Sequence, residues 1–220
     1  MIKGVFISIT FLTVLSAKGQ CGYYNSYEDF LNGKWERLDT VYIDHHSKSR
    51  QFWWGGNDFS ISTGNKDVDK KLKKDIFAVI QADTLYLNCR ELRFEKTRFG
   101  NGYVQARRIG ERSIFFVNRM IGKDAASDIQ GAGYMFGILG SAVSISRNLK
   151  QQVCYVISNG ADEKGHIIIR VIDDQLMRQM LTGQYDLLDE YYSVENKYDR
   201  KLAVHIVPIL EKSGLFSQAK

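Results

Sequence analysis

Three kinds of side chain in this sequence have the makings of chemistry: neighbouring histidines, neighbouring carboxylates and bunched aromatics. His45 and His46 are adjacent, and successive side chains on a strand point to opposite faces, so the two rings would not share a metal and a surface loop suits them. His166 and His205 are isolated in sequence. The carboxylates pair as Glu28-Asp29, Asp173-Asp174 and Asp189-Glu190. A glycosidase needs its two carboxyl groups facing each other across the substrate, roughly 5 to 10 Å apart, with one pKa raised, and adjacency does not produce this. The first two pairs fall at expected helix starts, where carboxylates cap free amides and favour the helix dipole. Asp67 and Asp69 resemble the start of a calcium loop, but the required Gly and distal Glu are missing at their spacings. There is no HExxH, no GxSxG elbow and no CxxC. These residues predict no metal and no cofactor, and they lean against an enzyme.

The aromatics are more suggestive. Phe, Trp and Tyr make up 12% of the chain, in bunches: Tyr23, Tyr24 and Tyr27; Phe52, Trp53 and Trp54; Tyr191 and Tyr192. Residues 52–62 suggest an aromatic strand, a Gly-Gly-Asn turn and a second strand. Neighbours on a strand face opposite ways, so Trp53 and Trp54 do not both enter the core of a half-buried hairpin. An exposed indole beside Asn57 and Asp58 is a surface that stacks on sugar rings or holds a peptide. The rival arrangement packs both indoles inside.

The elements that would position these groups can be read along the chain. Lys3, an apolar run over Val5–Leu15 and the small residues Ala17 and Gly19 predict a signal peptide over 1–19 and a secreted or periplasmic mature chain of 20–220 forming a single domain. Cys21 as a lipid-bearing residue is disfavoured by Lys18 and Gln20. Loss of Lys3 and Lys18 leaves 28 basic against 25 acidic side chains, a net charge of +3, too mild to imply a nucleic-acid partner. The basic run at 70–74 suits a solvated helix face better than a membrane contact.

Ser26 and Asp29 resemble a capping box for a short helix over 26–32 ended by Gly33, and residues 35–43 alternate loosely. A basic helix follows at 67–74, then a strand pair hinged at Ala82-Asp83, strands at 103–109 and 113–119, and a hairpin joining "QVCYVIS" to "HIIIRVID". The remainder is helical by its three-and-four spacing, and Pro208 is expected to kink or break the last helix. This predicts an α+β domain: a mainly antiparallel sheet from successive hairpins, with C-terminal helices on one face. Cys89 and Cys154 fall in expected strands, and either a disulfide joins them or they pack as small hydrophobes.

One segment, 129–145, carries no charge. Its glycines miss the spacing of a dinucleotide loop, and it is shorter than a comfortable membrane span. Gly133, Gly137 and Ser141 lie four apart, the spacing of a smooth helix face against which another backbone packs closely. A buried helix against the sheet is the expectation.

The stretches "SYEDFLNGKW", "FAVIQADTLYLNCREL" and "RFGNGYVQA", with the leader and the glycine-rich segment, resemble a family of secreted proteins of unknown function from Gram-negative gut bacteria. That resemblance implies export and carries no catalytic residues. The sequence is therefore taken to encode an exported, non-catalytic protein that binds a glycan or peptide through Trp53, Trp54, Asn57 and Asp58. An envelope-associated structural protein using the segment at 129–145 is the alternative, and a hydrolase with a site assembled from distant residues a more remote one. Oligomeric state stays open.

Overall fold

The computed structural model describes residues 21–47, 57–122, 152–161 and 166–217. The expected α+β architecture is present, with a long antiparallel sheet and the C-terminal helices packed on its outer face. Strands β1 (Cys21–Tyr24), β2 (Glu36–Arg37), β5 (Ala78–Gln81), β6 (Thr84–Asn88), β9 (Tyr103–Ile109), β10 (Ser113–Arg119), β11 (Gln152–Ala161) and β12 (Ile167–Val171) lie in the order β12-β11-β10-β9-β6-β5-β1-β2. The hairpin of β3 (Tyr42–His45) and β4 (Phe59–Ser62) joins β9 beside Tyr103, and the short β13 (Phe216–Ser217) joins it beside Ile109. A separate small ribbon pairs β7 (Arg93–Phe94) with β8 (Thr97–Arg98). The strand β4 thus pairs with residues 42–45; Phe52, Trp53 and Trp54 lie outside the described residues, as do Gly133, Gly137 and Ser141.

Alternation along the strands sends side chains to two faces. On the inner face Tyr24, Ala78, Ile80, Leu85, Leu87, Val104, Ala106, Ile114, Phe116, Val153 and Tyr155 form one continuous cluster. Its centre is aromatic: Phe116 stacks on Tyr155 at 5.4 Å, and Phe99 meets both rings edge-on. Helix α1 (Tyr27–Leu31) adds Tyr27 and Phe30 to this face.

The outer face is covered by two separate groups of elements. Helix α2 (Lys66–Lys74), capped by the Asn65 side chain, buries Leu72 against Ile61, Ile76, Val79 and Tyr103. The carbonyls at its end are satisfied from the sheet: the Asn88 amide donates to Leu72 O at 3.0 Å and Ile76 O at 2.9 Å, and the Tyr103 hydroxyl donates to Leu72 O at 2.5 Å. Asp69, the calcium-loop candidate, instead accepts from the Thr63 amide at 2.5 Å and the Thr63 hydroxyl at 2.8 Å. On the other half, α3 (Asp174–Met180), α4 (Tyr185–Tyr192) and α5 (Ala203–Lys212) pack on Phe115, Cys154 and Val156.

Of the two arrangements open to Cys89 and Cys154, a disulfide or buried thiols, the structure has the buried thiols, and no disulfide joins them. Cys89 belongs to the inner cluster and Cys154 to the outer one, so the sheet itself separates them. Pro208 lies inside α5 without ending it. Its ring is on the solvent side, as is Val204 four residues earlier, 67% exposed, while Ile206, Ile209 and Leu210 hold the buried face and keep the helix together through the proline.

Candidate functional site: an aromatic cleft beside Arg108

The inner face ends, on the β1 side, in a cleft of about 280 Å³ lined by Tyr24, Leu31, Asn32, Gly33, Trp35, Ile80 and Arg108. Local sequence explains most of its wall. Ser26 caps α1 by accepting from the Asp29 amide at 3.0 Å, as its capping-box spacing implies. The helix ends at Asn32, and Gly33 takes a positive φ of 65°, the left-handed turn that glycine adopts without penalty. Lys34 N then bonds back to Asp29 O at 2.8 Å, reversing the chain so that Trp35 returns over β1.

Gly22 decides where the indole rests. A β-carbon at this position would stand 2.3 Å from Trp35 Cε3, so glycine is what lets the ring lie against the strand. The residue remains 36% exposed, an aromatic surface held in place from below and open to solvent above. Beside it, Tyr24 is buried edge-on to Phe30 at 5.4 Å, and burial raises its phenol pKa, with the Arg108 charge opposing.

Arg108 reaches this wall from β9. Its guanidinium lies 4.5 Å over the Phe30 ring, and Nη2 donates a long hydrogen bond of 3.4 Å to Phe30 O. No ion pair among the described residues involves it. The cleft therefore presents a flat aromatic face, a fixed planar cation and the polar Asn32. Among the described residues that line it there is no carboxylate, histidine or thiol.

The other candidate residues have structural positions. Asn57 is 5% exposed: its amide donates to Asn101 O at 3.0 Å and Phe99 O at 3.4 Å, and its oxygen accepts from Asn118 at 2.9 Å. It ties the start of β4 to the loop before β9. Asp58 lies at the bend beside it, its carbonyl accepting from His46 N at 2.7 Å. His46 donates from Nδ1 to Asn57 O at 2.9 Å and meets the Ser60 hydroxyl through Nε2 at 3.0 Å, while the His45 ring packs 5.0 Å from Phe59. Neither Asn57 nor Asp58 borders the cleft.

Several members of the carboxylate pairs have structural partners. Asp173 caps α3 by accepting from the Leu176 amide at 2.9 Å, Asp174 binds Arg200, and Glu190 pairs with Lys212 at 2.5 Å. Among the described residues no three His, Cys, Asp or Glu side chains come together in a way that would hold a metal ion.

Sequence reasoning singled out Trp53 and Trp54 and passed over Trp35. The available signal was Gly33, which ends a helix two residues before a tryptophan. The partner that makes the cleft, Arg108, lies 78 residues from Phe30 in sequence, and only the sheet brings them together.

A family model described as a family of unknown function, DUF6563, matches residues 22–217. No curated protein and no solved structure matches the chain.

Proposed function

The chain belongs to the DUF6563 family of unknown function, and from that premise we propose that it is an exported, non-catalytic protein that binds a glycan or peptide through an aromatic surface. The observation that carries this is Trp35: a tryptophan left 36% exposed at the lip of a cleft, on a strand where glycine replaces the side chain that would displace it. Burying an indole stabilises a fold by kilocalories, so holding one in place at the surface suits a contact with something outside the chain. Stacking on a sugar face or an apolar side chain is such a contact, and Arg108 and Asn32 add the few directed polar groups that fix orientation.

Export is the second half of the proposal. It is supported by Lys3, the apolar run over Val5–Leu15 and the small residues Ala17 and Gly19, the pattern of a cleavable signal peptide. Extracellular glycans and peptides would then be within reach.

Binding to arrays of immobilised glycans and peptides, compared between the natural protein and Trp35→Ala, tests the reading. A ligand retained by the former and released by the latter is expected. Ligands held equally by both proteins would move the binding surface away from Trp35.

A further inference from the structure

We propose that the cleft is built for an acidic sugar: one pyranose ring lying on Trp35, with its carboxylate held by Arg108. This rests on the cleft being the binding site and adds the class of ligand.

Three observations lead to it. The first is charge: among the described residues that line the cleft only Arg108 is charged, and no described carboxylate pairs with it. Its neighbour on β9, Arg107, by contrast pairs with Glu211 at 2.8 Å, and Arg200 pairs with Asp174 at 2.8 Å. The second is geometry. The guanidinium carbon stands 4.5 Å from the Phe30 ring centre and Nη2 makes one long bond to Phe30 O, so the group is tied at one side while further N–H donors remain for a second acceptor. A planar fork of donors matches a carboxylate in a way a lysine ammonium does not. The third is size. A cleft of about 280 Å³ lies just below the range of drug-sized pockets and suits a single ring better than an oligomer.

The chemistry also discriminates against other anions. A phosphate would satisfy Arg108 but gives the indole nothing to stack on, whereas a uronic acid offers both a C–H face and a carboxylate on one rigid ring. A peptide C-terminus offers the carboxylate, but any apolar face it brings is on a side chain joined to that carboxylate through rotatable bonds rather than on the same rigid ring.

Isothermal titration of the full chain with methyl glucuronoside, methyl glucoside and acetyl-dialanine separates these cases. The glucuronoside is expected to bind about tenfold or more tightly than the glucoside, as one charge-assisted pair implies. Arg108→Gln should bring the two sugars level, and Arg108→Lys should recover the preference only in part. The comparison on the natural protein needs no variant, so it stands even if Arg108→Gln fails to fold. Equal affinity for both sugars, each weakened by Trp35→Ala, would overturn the acidic assignment and leave the binding site in place. Acetyl-dialanine binding as tightly as the glucuronoside would overturn it in favour of a peptide carboxylate. No heat from any of the three at millimolar concentration would overturn it as well, and the wider reading would then stand or fall on the Trp35→Ala array comparison.

Discussion

Gly22 holds the cleft open by having no side chain. A β-carbon there would meet Trp35 Cε3 at 2.3 Å and Glu36 O at 2.5 Å, the first a ring edge and the second backbone of the paired strand. Gly22→Ala must therefore shift both the indole and β2, and overpacking of this kind costs about 1–3 kcal/mol. Urea denaturation should show that loss, and ligand binding should fall with it; a variant as stable as the natural protein would mean the indole relocates freely and is not held by the strand. The two buried cysteines make a different prediction. Cys89 and Cys154 are fully buried, and burial pushes both thiols well above their ordinary pKa, so neither offers a thiolate to a reagent. Iodoacetamide on the folded protein should label neither, and denaturation without reductant should expose both for labelling. A Cys89–Cys154 peptide surviving that treatment would contradict the separation of the two thiols by the sheet. The sequence left disulfide and buried thiols as equal alternatives because spacing says which residues are on strands but not which face of a curved sheet each one meets.

At the scale of elements, a polar clasp centred on Arg200 helps fasten the outer helices. Arg200, in the short 3-10 turn Asp199–Lys201, reaches Asp174 at the start of α3 through Nε at 3.2 Å and Nη2 at 2.8 Å, and donates through Nη1 to Val194 O and Glu195 O. Tyr191 donates to the same carboxylate at 2.9 Å, and Arg200 lies over the Tyr191 and Tyr192 rings. The Arg200 hydrogen bonds hold the Asp174 carboxyl below its ordinary pKa, burial opposing and the Tyr191 hydroxyl assisting. A carboxylate whose folded pKa is depressed stabilises the fold fully above its unfolded pKa of about 3.9, and that contribution disappears as pH falls through the lower folded value. Asp174→Asn should accordingly cost about 1–3 kcal/mol at neutral pH and flatten the acid limb of the stability curve. An unchanged acid limb in urea titrations would assign the clasp no role. The helices themselves were legible, since α1, α2 and α3 have Ser26, Asn65 and Asp173 as caps and the last three helices keep an apolar face. Pro208 misled because propensity weighs the lost hydrogen bond without the packing of Ile206, Ile209 and Leu210 on the sheet, which holds the helix on both sides of it.

For the whole molecule, local hairpins carried most of the sheet into the sequence. The pairs β5–β6, β9–β10 and β11–β12 are each joined by a short turn or polar loop, and alternation marks their faces. The sheet order was not legible. β1 lies beside β5 across a long insertion, and β9 serves four partners, β6 and β13 along one edge and β10 and β4 along the other. Those pairings are long-range contacts with no local signature, and the cleft inherits this: its floor comes from β1 and β5, its wall from the end of α1 and its cation from β9. Aromatic bunching therefore pointed to a binding surface while naming different tryptophans. The most direct test follows the three indole N–H resonances of isotope-labelled protein during titration with methyl glucuronoside. The Trp35 resonance, assigned by its loss in Trp35→Phe, should shift in a saturable manner while the other two hold still. A saturable shift confined to Trp53 or Trp54, with Trp35 unmoved, would contradict the cleft as the binding site.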